Sequence, residues 1–294
     1  MSNPKVILFI ALGVTGAAFL LGWVRSDSNA RRGLGHSVIG FVTNFFDTLG
    51  IGSYAPTTAI FRFLKLVPDE KIPGTLTLGH TLPTIVQSFI FIAIVNVDFA
   101  TLVLLIGAAV VGAWLGAGVV ARWPRRNIQI GMGLALCAAA TLFVLANLGV
   151  VPGGGEALKL TGTRLVIGLV GNFGLGALMT LGIGLYGPCL IMISLLGMEP
   201  RAAFPIMMAS CAFLMPVAGL RFARAKAYEV PPALGLALGG IPAVVIAALI
   251  VKSMNLVTVR WLVVVVVLVA AAGLLWSAFG RQPPAAVKQP AVVL

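Results

Sequence analysis

Acidic residues are scarce in this chain: it carries 8 Asp and Glu against 20 Lys and Arg in 294 residues, and charged residues make up only 10%. Ordinary globular chains carry about a quarter, so a soluble domain with a charged, solvated shell is excluded. The eight carboxylates fall mostly in loops and form no cluster with metal-ligand spacing. H-E-x-x-H, G-x-S-x-G and P-loop motifs are absent too. No enzymatic activity, cofactor or metal is therefore expected. The three cysteines, Cys137, Cys189 and Cys211, all lie inside apolar segments, which argues against a disulfide framework.

What fills the chain instead is hydrocarbon. Sixty per cent of residues are hydrophobic and the mean hydropathy is +1.07. A membrane span needs about 20 apolar residues to cross a core of roughly 30 Å, and runs of that length recur from end to end. The net charge of +12 does not point to nucleic acid, because the cations sit in short loops between apolar runs, as in a membrane protein. Val6 to Trp23 resembles a secretory signal only in part: one lysine precedes it, no clear A-x-A cleavage site follows, and Arg25, Arg31 and Arg32 stand behind it. That pattern predicts a retained first helix.

Helices are expected at about 5–24, 73–95, 99–121, 127–149, 203–222, 231–252 and 258–279. Two further apolar segments, 36–66 and 168–198, are interrupted by Gly and Pro. The interruptions match each other. Thr48 to Pro56 and Thr180 to Pro188 agree at seven of nine positions, with an offset of 132 residues. The register persists: Pro68 pairs with Pro200, Pro73 with Pro205, Gly107 with Gly239, and Ala138–Ala140 with Ala270–Ala272. The chain thus reads as an N-terminal helix and linker (1–35), a first repeat (36–149), a linker (150–167), a second repeat (168–281) and a tail expected to be disordered (282–294).

Charge chooses the topology. If each broken segment crosses once, Lys and Arg divide ten to ten. If each dips in and returns as a re-entrant hairpin, the split is fourteen to six, with Lys5, Lys159, Arg164, Arg201, Lys252 and Arg260 on the poorer side. The positive-inside rule prefers the second arrangement. Three full spans per repeat then invert the second copy. The expected fold is an all-α polytopic membrane protein of two inverted repeats, each a broken hairpin plus three spans. Hairpin arms of roughly 11–13 residues would reach the bilayer middle and return. The N-terminus is placed outside, in the periplasm, and the C-terminus in the cytoplasm.

Irregular backbone at membrane depth survives only where protein or a water-filled cavity satisfies it. Gly50, Gly52, Gly182 and Gly184 permit the turns, and Pro56 and Pro188 suit the first turn of an outgoing half-helix. The free N–H groups of such a half-helix make an anion site, and paired half-helix starts line the substrate site in inverted-repeat transporters. The expected substrate-binding residues are Thr48, Gly50, Gly52, Ser53 and Tyr54, their counterparts Thr180, Gly182, Gly184, Leu185 and Tyr186, and Asn44 and Asn172. The bland alternative is that the glycines only let helices pack and each threonine bonds a carbonyl one turn back. Asp47 and His80 are ionisable groups at depth and candidates for a coupling proton; a capping role for Asp47 and a packing role for His80 are the alternatives.

Gly40 to Arg62, with Leu49-Gly50-Ile51-Gly52, and Gly171 to Leu196, with Leu181-Gly182-Ile183-Gly184, resemble the two signature segments of the TauE/SafE family of sulfite and organosulfonate exporters. The resemblance extends over about residues 36–280. Ser53-Tyr54-Ala55 and Leu185-Tyr186-Gly187 stand where many members have further glycines. The resemblance implies outward transport of sulfite, a sulfonate or a related anion across a bacterial inner membrane by alternating access. Two other readings stay open. One is an anion channel. The other is a membrane thiol–disulfide electron carrier, suggested by Pro188-Cys189 with Cys211, although the repeat mates of the two cysteines are Thr57 and Gly79. The expected partners are a small anion and the lipid bilayer, and a homo-oligomer is compatible with every reading.

Overall fold

The structure, a computed structural model, describes residues 4–26, 34–120, 125–150, 155–179 and 184–279. Among them there is no β-strand, only an isolated bridge between Ala157 and Met198, and the fold is all-helical. Eleven α-helices are described: α1 (Lys5–Ser26), α2 (Ser37–Thr48), α3 (Tyr54–Phe63), α4 (Ile72–Ile94), α5 (Phe99–Val120), α6 (Arg125–Asn147), α7 (Gly162–Met179), α8 (Tyr186–Leu195), α9 (Ala203–Arg224), α10 (Val230–Ser253) and α11 (Leu256–Phe279). Six are long and apolar enough to cross a membrane, namely α1, α4, α7, α9, α10 and α11. The 23 residues of α4 make about 34 Å of helix, a little more than the hydrocarbon thickness. The outward faces are hydrocarbon: Ile7, Trp114 and Leu249 are each more than half exposed, and Trp276 is 83% exposed. Such a surface is satisfied by lipid. The chain is a multi-pass membrane protein.

The helix bounds recur at the sequence offset. Tyr54–Phe63 displaced by 132 is Tyr186–Leu195, and α4, α5 and α6 fall within two residues of α9, α10 and α11. Contacts recur as well: α2 packs on α10 while α5 packs on α7, and α4 meets α9 while α6 meets α11. Helices that correspond to each other run in opposite directions. Phe91 near the end of α4 stacks on Phe204 near the start of α9, with centroids 5.2 Å apart. Leu78 faces Gly219, and Gly74 is approached by Phe222 and the Ala227 carbonyl. On the other pair, Arg126 at the start of α6 lies over the ring of Phe279 at the end of α11, and Gly133 meets Leu275.

Both broken segments double back. Gly168 faces Leu196 and Gly171 faces Met192, so α7 and α8 are antiparallel arms. Ile39 at the start of α2 and Leu66 just past α3 pack against one cluster of Phe61, Val67, Ile72 and Leu76. The first hairpin therefore opens toward the Lys71 end of the bundle. The second opens toward the Asp98 end, where Ala157 bridges Met198. One boundary expectation needs correction. The incoming arm of the second hairpin begins at Gly162, not near 168, and has 18 residues. At about 27 Å it nearly matches a full span in length, whereas α2 with 12 residues fits the expected arm.

Side chains tie the ends. Lys71 and Glu229 pair at 2.7 Å, and Arg62 and Asp69 at 3.0 Å. At the other end the Lys5 ammonium donates to the Ile92 carbonyl at 2.9 Å, and the Arg201 guanidinium to that of Met254 at 2.6 Å. Asp98 caps α5 by accepting from the Thr101 amide and hydroxyl, and those bonds hold its carboxyl below the usual carboxylate range. The tail expected to be disordered and the linker cations Arg31, Arg32, Arg122, Arg281 and Lys288 lie outside the described residues.

Candidate functional site

Both hairpin tips point at the middle of α4, and α4 presents them a polar stripe. Thr77, His80, Thr84 and Gln87 follow one another at three- and four-residue spacing and are all buried, as one face of a helix requires. Their repeat counterparts on α9 are Ala209, Ala212, Pro216 and Gly219. The twofold pattern of the backbone is therefore not a twofold pattern of chemistry. His80 lies about 12 Å and Gln87 about 22 Å along α4 from its start.

At the first tip, Gly50 takes φ +100° and Gly52 φ +89°, a left-handed conformation that costs any residue with a Cβ about 1–2 kcal/mol. The turn returns the chain so that Ser53 lies beside the Asp47 carboxylate. Gln87 completes the shell. Its Nε2 donates to Asp47 Oδ2 at 2.8 Å and to Thr48 Oγ1 at 2.9 Å. Thr48 donates its own proton to the Asn44 carbonyl one turn back, at 2.7 Å. The bland expectation for that hydroxyl is met, while its lone pair still serves the site. The far side of the Gln87 amide reaches the second hairpin: Tyr186, the first residue of α8, donates its hydroxyl to Gln87 Oε1 at 2.9 Å. One side chain of α4 thus joins the tips of both hairpins.

A second chain of bonds runs beside it. His80 Nδ1 lies 3.0 Å from Asn44 Oδ1, and Nε2 lies 3.2 Å from Thr57 Oγ1. The Asn44 amide nitrogen donates to the Gly40 carbonyl at 2.8 Å, so its Oδ1 faces the ring and Nδ1 carries hydrogen; this tautomer follows from the network. Thr57 then has one proton and two acceptors within reach, the Ser53 carbonyl at 2.7 Å and His80 Nε2 at 3.2 Å. The Ser53 carbonyl also accepts the Thr57 amide at 3.0 Å, so the hydroxyl can serve the neutral ring and leave no acceptor empty.

The remaining expected residues divide. Tyr54 donates to Thr77 Oγ1 at 3.2 Å and joins the first tip. Leu185 is buried in the main apolar core, beneath the second tip. Gly184 is exposed, its φ is not left-handed, and a Cβ there would meet open space, so the two turns are not copies in detail. Asn172 is not at the tips. It donates to the Leu105 carbonyl at 2.7 Å and Ser210 Oγ at 3.3 Å, fastening α7 to α5 and α9. Thr180 and Gly182 lie outside the described residues. Gln87, Thr57, Thr77 and Thr84 were not among the expected binding residues; the polar spacing along α4 was the available signal.

Around this centre, Asn44, Thr48, Thr57, His80 and Gln87 are each 0% exposed. At the tips themselves Ala55 and Gly184 are exposed. Among the described residues no group of three or more His, Cys, Asp or Glu could hold a metal. The nearest sulfur contact is Cys211 to Met179, at 3.5 Å. Comparison with known protein families, with curated proteins and with solved structures finds no match to this chain.

Proposed function

We infer that this protein is a secondary transporter of a small anion, working by alternating access between two inverted repeats. The observation that carries the reading is the convergence of two oppositely opening hairpins on one buried polar centre, bridged by Gln87 between Asp47 and Tyr186. Support for the inversion comes from the antiparallel packing of α4 on α9 and of α6 on α11.

The anion sits against the start of α3 and α8, where Tyr54, Ala55, Tyr186 and Gly187 present N–H groups without helical partners. Tyr54, Tyr186, Thr48 and Ser53 add hydroxyls. Resemblance to the TauE/SafE exporters makes a sulfur oxyanion the substrate class, outward the direction, a bacterial inner membrane the setting, and the Lys71 end the cytoplasmic one. Asp47 and His80 are the proton-carrying groups. The thiol-carrier alternative is less well served: Cys189 and Cys211 are both buried and no symmetric cysteine pair exists.

Thermal shift of the purified protein in detergent tests the reading, with sulfite, sulfate, thiosulfate, sulfoacetate, taurine and chloride as probes. The expected result is stabilisation by a sulfur anion that is lost in Gly52→Val and in Gly184→Val. A protein stabilised by none of these anions, or equally by the wild type and both variants, refutes the paired-tip anion site.

A further inference from the structure

We propose that Gln87 is a proton-controlled relay: by rotating its amide, it converts proton uptake at Asp47 into release of the Tyr186 hydroxyl for the substrate. The proposal rests on the anion-transporter reading for the identity of the ligand, but its switching geometry is independent of it.

The argument is a count of donors and acceptors. Both Gln87 N–H groups are used, on Asp47 Oδ2 and Thr48 Oγ1, and Oε1 accepts from Tyr186. Asp47 Oδ2 receives hydrogen from Gln87, and Ser53 lies beside the carboxylate. The bond from Gln87 is a donor's, so the present arrangement fits ionised Asp47. A proton arriving from water at Oδ2 would face the Gln87 N–H directly, donor against donor, in a buried site where an unmade hydrogen bond is costly. Rotation of the amide by half a turn removes the clash. Oε1 then accepts from Asp47 and from Thr48, which turns its proton away from the Asn44 carbonyl, and Nε2 faces Tyr186. The tyrosine hydroxyl, no longer a donor to Gln87, accepts from Nε2 and turns its own hydrogen elsewhere. Thr84 lies beside it, as does the start of α8. No bond other than O–H is made or broken.

The same proton removes the charge that opposes an anion. An ionised Asp47 would repel an anion held at the hairpin tips, and burial strengthens that repulsion. Proton on Asp47, amide rotated and Tyr186 free is therefore the binding-competent combination, and the anion travels with a proton. Tyr186 and Cys211 face Asp47 from α8 and α9, and Tyr54 from α3. His80 on α4 is held by Asn44 and Thr57, two helical turns from Gln87. None of these is a second carboxylate, so one acid controls the relay.

The test needs no ligand. Protein labelled with 13Cζ-tyrosine is titrated with acid in detergent micelles while infrared difference spectra follow the carboxylic C=O band. The three tyrosines are assigned with Tyr54→Phe, Tyr186→Phe and Tyr228→Phe. The expected result is a Tyr186 shift that moves in step with a carboxyl band that Asp47→Asn abolishes. In Gln87→Met the band remains and Tyr186 no longer responds. A Tyr186 resonance that titrates equally in Gln87→Met, or that stays fixed in the wild type while Asp47 takes up its proton, overturns the relay; so does a wild type in which no Asp47 carboxyl band forms before acid unfolding. Anion-induced thermal shift is scored separately, so failure of the anion site and failure of the relay give different results.

Discussion

Asn44 and His80 hold the first hairpin against α4, and their coupling can be measured. Both are 0% exposed and their contact is 3.0 Å. Asn44→Leu keeps the side-chain size but leaves the His80 Nδ1–H without an acceptor. Interhelical hydrogen bonds in membrane proteins average only about 0.6 kcal/mol, with the largest near 1.7, because the unfolded state in the membrane also finds partners. Here the upper end applies. The pair is sealed from lipid and from water, and a stranded imidazole N–H costs roughly 1–3 kcal/mol. Asn44→Leu should therefore destabilise by about 2 kcal/mol, and His80→Leu by about as much, since it strands Asn44 Oδ1. The double variant removes both partners, and its loss should fall short of the sum by about 1–2 kcal/mol.

Reversible unfolding in mixed micelles, driven by increasing SDS fraction, gives the four free energies of the cycle. Additivity within about 0.5 kcal/mol would refute the reasoning, since it would mean that the two side chains do not share a bond that matters. Asn44→Asp supplies a further arm. A carboxylate beside Nδ1 favours the doubly protonated ring, and the Nε2–H then completes the chain through Thr57. This variant should be less damaging than Asn44→Leu although it introduces a charge.

Other expectations use the same centre and the loops around it. Tyr186→Phe strands Gln87 Oε1 and should lower thermal stability more than Tyr54→Phe, whose hydroxyl serves a Thr77 already bonded to the Pro73 carbonyl; equal losses would contradict the different roles given to the two tyrosines. Gly50→Ala should cost about 1–2 kcal/mol from backbone strain alone, visible in the same micelle assay, whereas Gly107→Ala, where a Cβ meets no neighbour within 4 Å, should be near neutral. Asp98 has a depressed pKa through its bonds to Thr101, so its contribution is present above the unfolded value and is lost as pH falls through the folded one, below about pH 4. Asp98→Ala should cost about 1 kcal/mol at neutral pH and nothing further in acid; an undiminished cost below that range would be the wrong sign. Alanine at Cys137, Cys189 and Cys211 together should preserve anion-dependent stabilisation, and its loss would favour the thiol carrier.

Much of the architecture was legible because the membrane imposes it. Seven expected helices match described ones to within about three residues, since each begins and ends where apolar composition does. The positions of the two breaks were legible from Gly50, Gly52, Pro56 and Pro188. What escaped was local. The incoming arm α7 starts early because Gly162 to Gly168 is apolar and uncharged but for Arg164, leaving no stop signal to read. Gln87 and Thr57 escaped because partners distant in sequence define them. Gln87 lies 99 residues from Tyr186 and 40 from Asp47, and one polar residue in an apolar helix does not reveal what it faces. Asn172 was read as a polar residue of the incoming arm and a candidate substrate contact, whereas its amide is taken up by Leu105 and Ser210, partners visible only once α5, α7 and α9 are packed.

The asymmetry between α4 and α9 bears on how such a molecule would move. In the proposed alternating-access reading, two repeats with the same backbone would exchange roles as the bundle rocks, so each conformation would have a near mirror in which the other hairpin is released. If both repeats carried the polar stripe, proton uptake would favour neither direction. Only α4 carries it: where α4 has Gln87 and His80, α9 has Gly219 and Ala212. The first hairpin is held to α4 through Asn44, Asp47, Thr48 and Thr57, whereas the second touches the polar stripe through Tyr186. A change at Asp47 reverses the one bond by which Tyr186 meets the stripe and leaves the bonds between Asn44, Thr57 and His80 in place. Proton binding should therefore open the Asp98 end in preference to the Lys71 end. Cysteine accessibility at Leu196 and Leu64, each replaced singly by Cys in a cysteine-free background, distinguishes the ends. Acid should raise the labelling rate at Leu196→Cys and leave Leu64→Cys unchanged, and a rise at both or at Leu64→Cys alone would mean that the hairpins are not held by different bonds.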